Sequence, residues 1–304
     1  MFLLGWGARV LVMVFLFTSM LSIGLRATPE DFAAVPSVGG RLARLLLVNL
    51  VAVPLVALAL IRMLPPDPAR DAALAILACA PGGISALQYT ANRRFDLLTA
   101  GVGTMALALA ALALAPVLLQ AFLPGPGPVR LPHGRALLWF FALLCLPMAL
   151  GLAAAWRWPR WAHRLHLPVG FLGIGALMLA GWLIAAPQKE AIHAIGIRGI
   201  LVMALFSTLC LGLGWLAGGR IPAVRRTFAL ATSMRNVPLS LLLALHAAGS
   251  PAVQAYLVAF SLIMVVPGMV FYYLVLVTTL DRAALKGHAQ ALRSRLPGHR
   301  VPKP

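Results

Sequence analysis

Acidic residues are almost absent from this chain. Seven Asp and Glu occur in 304 residues, and charged residues of both signs make up 11%. A soluble domain carries about a quarter of its residues charged, because charge must clothe a water-facing surface. The shortage therefore argues against a water-soluble globular fold. It also removes the paired carboxylates of general acid–base catalysis: Glu30, Asp31, Asp67, Asp71, Asp96, Glu190 and Asp281 all read as loop or helix-end residues. Cysteine is scarce as well. Cys79, Cys145 and Cys210 are odd in number, well separated and embedded in apolar runs, so they read as small buried hydrophobes and not as a disulfide framework or metal ligands. No His-rich cluster and no Ser-His-Asp set with credible spacing is found in the sequence. The chain reads as a non-enzyme without metal or cofactor.

Apolar residues fill the space instead. They make up 62% of the chain, and the mean hydropathy is +0.94. Nine apolar runs, at roughly 5–25, 40–62, 71–92, 96–122, 135–155, 167–187, 193–218, 225–247 and 252–280, are each long enough to cross a bilayer as a helix. Joints such as Pro65-Pro66-Asp67-Pro68 and Pro124-Gly125-Pro126-Gly127-Pro128 cannot continue a helix and separate neighbouring runs. The expected fold class is an all-α polytopic membrane protein of about nine transmembrane helices. The first run is too long for a cleaved leader and no small-x-small site follows it, so it is expected to stay as the first span.

The 25 Lys and Arg give a net charge of +18. They fall in short joints between apolar runs, which argues against nucleic acid and for anionic lipid headgroups as partners. With nine spans the termini lie on opposite faces. Arg26, Arg41, Arg44, Arg93, Arg94, Arg157, Arg160, Arg164, Arg220, Arg225 and Arg226 share the face of the basic tail at 281–304. Arg9, Arg62, Arg70, Arg130, Arg135, Lys189 and Arg198 fall on the other. The positive-inside bias puts the C-terminus in the cytoplasm and the N-terminus outside, in a cytoplasmic membrane.

Two runs contain what an unbroken membrane helix avoids. The third reads Ala78-Cys79-Ala80-Pro81-Gly82-Gly83-Ile84-Ser85-Ala86-Leu87-Gln88, and the eighth Ala231-Thr232-Ser233-Met234-Arg235-Asn236-Val237-Pro238. Each proline removes a backbone donor, and the two glycines loosen the turn that follows. Unpaired backbone at membrane depth must face protein or a watered cavity. Broken helices at matching places in two halves point to a transporter binding site, where half-helix N-termini would offer N–H groups to an anion. Arg235 is the one Lys or Arg well inside a run, and no acid lies in any run to neutralise it. Intramembrane charge is costly and marks a functional site by default. Two readings stand: a counter-charge for a carboxylate or sulfonate substrate, or a structural guanidinium that satisfies unwound carbonyls. Asn49, five residues before Pro54, is a polar group in the second run whose bland account is helix–helix hydrogen bonding. His193 and His246 lie near run ends and read as interface side chains before proton carriers.

These residues resemble the bile acid:sodium symporter family over nearly the whole chain. Met20-Leu21-Ser22-Ile23-Gly24-Leu25 with Pro29-Glu30-Asp31-Phe32 looks like the family's opening stretch. Pro81-Gly82-Gly83 resembles its first crossing-helix motif, and Asp96 and Thr104 follow at the family's spacing. Arg226-Thr227-Phe228-Ala229 through Asn236 resembles the second crossing helix. The resemblance implies an inverted-repeat fold in which two broken helices cross, built from a panel (about 5–25 and 135–187) and a core (about 40–122 and 193–280). It also implies elevator-like alternating access for organic anions.

Sodium-coupled members carry polar residues at places where this chain has Ala86, Leu87, Ala100 and Ala231, and a Gln at each of the places held here by Arg235 and Asn49; Thr104 and Asn236 remain. Sodium wants oxygen ligands, so the expectation is a sodium-independent organic-anion transporter in which Arg235 stands in for the bound cation. The expected substrate contacts are Arg235, Asn236, Pro81, Gly82 and Gly83, supported by Ser85, Gln88, Thr104, Thr232, Ser233 and Asn49. Rival readings are a sodium symporter with displaced ligands such as Asn49 and Thr104, a proton-coupled or facilitative exporter, and a non-transporting membrane sensor or scaffold.

Overall fold

A computed structural model describes residues 2–26, 29–82, 95–122, 134–246 and 250–278. Among these residues every regular element is helical, as expected of backbone that must satisfy its own hydrogen bonds in lipid. The long elements are α1 (Phe2–Arg26), α2 (Pro29–Leu47) continued by a π-turn at Val48–Ala52 into α3 (Val53–Met63), α5 (Leu97–Phe122), α6 (Gly134–Arg157), α7 (Pro159–Ala185), α9 (Gly196–Ala217) and α12 (Pro251–Ile263), which runs on to Thr278. Short elements are α4 (Pro68–Ala78), α8 (Lys189–Ala194), α10 (Pro222–Ser233) and α11 (Val237–His246).

Five described stretches are long and apolar enough to cross a membrane: Trp6–Arg26, Pro36–Met63, Pro159–Ala185, Gly196–Ala217 and Pro251–Thr278. The chain is a multi-pass membrane protein. Large apolar side chains such as Leu55, Phe171, Leu172, Trp182, Leu201, Leu262 and Val266 are exposed on these helices, where lipid covers them. Some runs differ in their bounds from the sequence expectation: α2 starts at Pro29, eleven residues before its apolar run. α7 starts at Pro159, eight residues before the apolar run, because a proline suits the first helical position and Trp161 and Arg160 fit the interfacial end of a membrane helix.

α1 packs most closely on α6 and α7. Gly24 and Gly151 face each other there. A Cβ at Gly24 would overlap the Met148 carbonyl, and one at Gly151 would overlap the Leu21 carbonyl, so only glycine lets the two backbones touch. α9 packs on α10 in the same manner, Gly214 lying against Phe228.

α4 and α10 are different in kind. Every residue from Ala72 to Gly82, and every residue from Thr227 to Leu241, is buried. A helix buried on all sides belongs to the protein interior. At about 1.5 Å per residue, the 11 residues of α4 and the 12 of α10 reach only about 16–18 Å, roughly half the hydrocarbon thickness. Both therefore end inside the protein.

Candidate functional site

The ends of α4 and α10 meet. α4 stops at Ala78, where Cys79 N–H turns back to Ala75 O (3.1 Å) and Ala80 N–H to Leu77 O (3.2 Å). Pro81 has no N–H to give, and Gly82 follows at φ +79°, in the left-handed region that glycine favours. A Cβ on Gly82 would lie 2.8 Å from Leu107 Cβ of α5, so the site also demands a residue without one.

α10 stops at Ser233. Asn236 then starts α11 as its N-cap: its Oδ1 accepts from Leu239 N–H (3.1 Å), and its carbonyl accepts from Ser240 N–H (2.9 Å) and Ser240 Oγ (3.0 Å). Its own N–H donates to Ala80 O at 2.9 Å, which ties the second break to the first. Val237 N–H donates to Arg235 O (2.9 Å), and Pro238 has none. The first-turn amides of α11 are thus taken up within the chain, contrary to the expectation that this half-helix start presents free N–H groups to an anion. Asn236 itself is the reason.

Arg235 lies between the breaks with 1% of its surface exposed. Nε donates to Leu77 O (3.0 Å), Nη2 to Ala78 O (2.7 Å), and Nη1 to Asn49 Oδ1 (2.7 Å) and Thr232 O (3.5 Å). Leu77 and Ala78 form the C-terminal end of α4, where the helix dipole leaves partial negative charge. Every partner is a neutral oxygen. Among the described residues, no carboxylate bonds the guanidinium. The arrangement can neutralise a stopped helix end, and it holds one formal positive charge in the interior.

Asn49 completes the cage. It sits in the π-turn Val48–Ala52, just before Pro54. Its Nδ2 donates to Leu45 O (3.0 Å) and to Thr232 Oγ1 (3.1 Å) while its Oδ1 receives Arg235. Arg235, Asn236, Asn49, Thr232, Pro81 and Gly82 are therefore brought together. Ser233 and Thr104 are buried but bond within their own helices, to Leu230 O (3.3 Å) and Ala100 O (2.8 Å). Gly83, Ser85 and Gln88 lie outside the described residues. Two buried polar atoms near this level of the fold, Asn236 Nδ2 and Ser207 Oγ, have no partner among the described residues.

The Leu77 and Ala78 carbonyls went unread in the sequence, because they are backbone groups of apolar residues. The one signal that pointed to them was Pro81, which marks where α4 must leave carbonyls open. Polar clusters fix the outer ends of the same elements. Asp96 caps α5 through Thr99 N–H (3.2 Å) and Thr99 Oγ1 (2.7 Å), pairs with Arg41 (2.8 Å), and its N–H reaches Thr227 Oγ1 of α10 (2.9 Å). Asp67 caps α4 through the Ala69 and Arg70 amides (both 3.1 Å) and accepts from Tyr256 of α12 (2.6 Å).

A sequence model of the Sodium Bile acid symporter family matches residues 13–197. The match includes the first break and Asn49; Arg235 and the second break follow it. No curated protein matches the chain.

Proposed function

The chain belongs to the sodium bile acid symporter family, and on that premise we propose that it is a secondary transporter of an organic anion, a carboxylate, a sulfonate or a bile-acid-like molecule, that works without sodium because Arg235 replaces the bound cation. The observation that carries this reading is the ring of four neutral oxygens around the guanidinium: Leu77 O, Ala78 O, Thr232 O and Asn49 Oδ1. Oxygens of this kind, converging where two broken helices meet, are what a hard metal cation needs, and a fixed cation already uses them. A sodium ion at about 5 Å from it would be repelled by roughly 3 kcal/mol at an effective dielectric of about 20.

The reading extends to a nine-span inverted repeat with the N-terminus outside and the C-terminus in the cytoplasm of a cytoplasmic membrane. α1, α6 and α7 form its panel and the remaining spans its core; the close packing of α1 on α6 and α7 supports that division. Alternating access then comes from movement of the core against the panel. The Asn236 amide and the backbone around Pro81 and Gly82 line the substrate's place; Gly83, Ser85 and Gln88 stay expectations from the sequence. Arg235 acts there through its charge, with Asn49, Thr104, Thr232 and Ser233 in support. Anionic lipids cover the basic joints.

Uptake of anions into proteoliposomes with sodium replaced by choline tests the reading. Flux is expected to persist unchanged, and a strict sodium requirement would overturn it. A thermal-shift screen of organic anions on purified protein, with and without sodium, finds the ligand and repeats the test at equilibrium.

A further inference from the structure

Sodium leaves its site each time a symporter releases its cargo, but a guanidinium bonded to the chain does not. Arg235 is buried, its partners are neutral oxygens, and the chain's acids are elsewhere. Asp67 caps the far end of α4, about 16 Å along the helix from Ala78, and Asp71, about 10 Å from Ala78, is already paired with Arg70 (2.7 Å). Asp96 bonds Thr227, eight residues before Arg235 and about 12 Å along α10, and is already paired with Arg41. Glu30 and Asp31 start α2 about 27 Å before Asn49, Glu190 lies in α8, and Asp281 falls outside the described residues. The core therefore carries one uncompensated positive charge whenever it is empty.

From this we infer that the cargo carries a single negative charge and that the carrier works by exchange. The inference rests on the transport reading above and adds the charge class of the substrate and the mode of transport. A monovalent anion bound near the guanidinium makes the moving core neutral. The empty core moves as a cation, against the membrane field in one direction and against poor solvation in both. Loaded reorientation is then fast in both directions and indifferent to voltage. Empty return is slow and voltage-dependent. Cargo on one side is therefore traded for cargo on the other, and net uptake lags behind. A divalent anion overshoots neutrality and leaves the loaded core with one negative charge.

The test uses the full chain in sodium-free proteoliposomes with labelled taurocholate, benzoate and lactate, each carrying one charge. Uptake into vesicles preloaded with the same unlabelled anion is expected to be at least tenfold faster than uptake into empty ones. An inside-negative potassium diffusion potential should change the net uptake and leave the exchange as it was. Taurolithocholate 3-sulfate, with two charges, should exchange more slowly than taurocholate. Voltage steps across a bilayer holding substrate-free protein should displace charge, a displacement lost in Arg235→Gln and kept in Arg235→Lys. This last measurement decides the matter even where none of the three probes moves. Equal rates into loaded and empty vesicles overturn the inference, and so does substrate-free wild-type protein that displaces no charge. Flux that stops when sodium is absent overturns the sodium-independent reading instead.

Discussion

The first break, at 79–82, is built of Cys, Ala, Pro and Gly, and what it brings to the crossing is backbone carbonyls. The second, at 234–236, brings a guanidinium and an amide. The difference follows from which end of a half-helix each presents. α4 arrives with its C-terminus, so its last carbonyls are open acceptors. The second break supplies donors: Arg235 to Leu77 O and Ala78 O, and Asn236 N–H to Ala80 O. One break is the acceptor and the other the donor, and neither is satisfied alone at membrane depth. The sharpest way to break this pairing is Arg235→Leu. It removes three hydrogen bonds of 3.0 Å or less from a charged donor, each worth about 1.5–3 kcal/mol net. It also relieves the roughly 3 kcal/mol that a buried membrane charge costs. The balance is a loss of about 2–6 kcal/mol, with Ala78 O and Asn49 Oδ1 left bare. Thermal melting in detergent should fall by many degrees. A variant as stable as the wild type would mean that the guanidinium is no part of what joins the breaks.

Much of this was legible from the residues, and the illegible part has a physical cause. Hydropathy reports whether a segment prefers lipid to water, so the span-forming helices and the two interruptions stood out. Arg235 stood out for the same reason, as a charge where charge is expensive. Hydropathy does not report partners. That Arg235 faces carbonyls of α4 depends on how the breaks stack, and those carbonyls belong to Leu77 and Ala78, apolar residues with no polar side chain to flag them. Asn49 looked like an ordinary helix–helix contact until the π-turn before Pro54 brought it to within 2.7 Å of the guanidinium. The capping of α11 by Asn236 was hidden behind a proline that pointed, correctly, only to a break.

Asn236 separates the structural use of the second break from its proposed use toward cargo. Its Oδ1 caps α11, and its Nδ2 is buried without a partner among the described residues. Asn236→Asp keeps the capping oxygen and removes the donor. Its effect on melting should be small, because the cap, worth about 1 kcal/mol, survives. Substrate affinity should fall about tenfold or more, since the site loses a donor and a fixed carboxylate now competes with the cargo for Arg235. Asn236→Ala should lose both cap and affinity. Equal affinity in Asn236→Asp and wild type, by thermal shift with a bound anion, would assign the amide to packing alone.

The smallest effect lies at the far end of α4, where its N-terminus is held in water. Burial raises the Asp67 carboxyl's pKa, but the Tyr256 hydroxyl, the Arg70 and Ala69 amides and the Arg70 charge outweigh it and hold the group below its ordinary value of 3.8. A carboxyl held low in the folded state stabilises that state above its unfolded value, and the contribution disappears as pH falls through the folded value. Tyr256→Phe removes the strongest of the lowering contacts, a 2.6 Å hydrogen bond from α12. The folded value then rises toward the unfolded one, so the variant starts with less of this stability at neutral pH and has less to lose as pH falls. At neutral pH the melting temperature should drop by under about 3 °C, because this end of α4 is partly solvated and keeps its amide cap. Melting curves from pH about 6 to about 3 should draw the two proteins together toward acid, as Asp67 takes up a proton in both and the contact no longer meets a charge. Curves that stay parallel would show that Tyr256 does not sense the charge on Asp67. The N-terminus of α4 would then be held by its own amides, independent of α12, and only its C-terminal end, at the crossing, would depend on another helix.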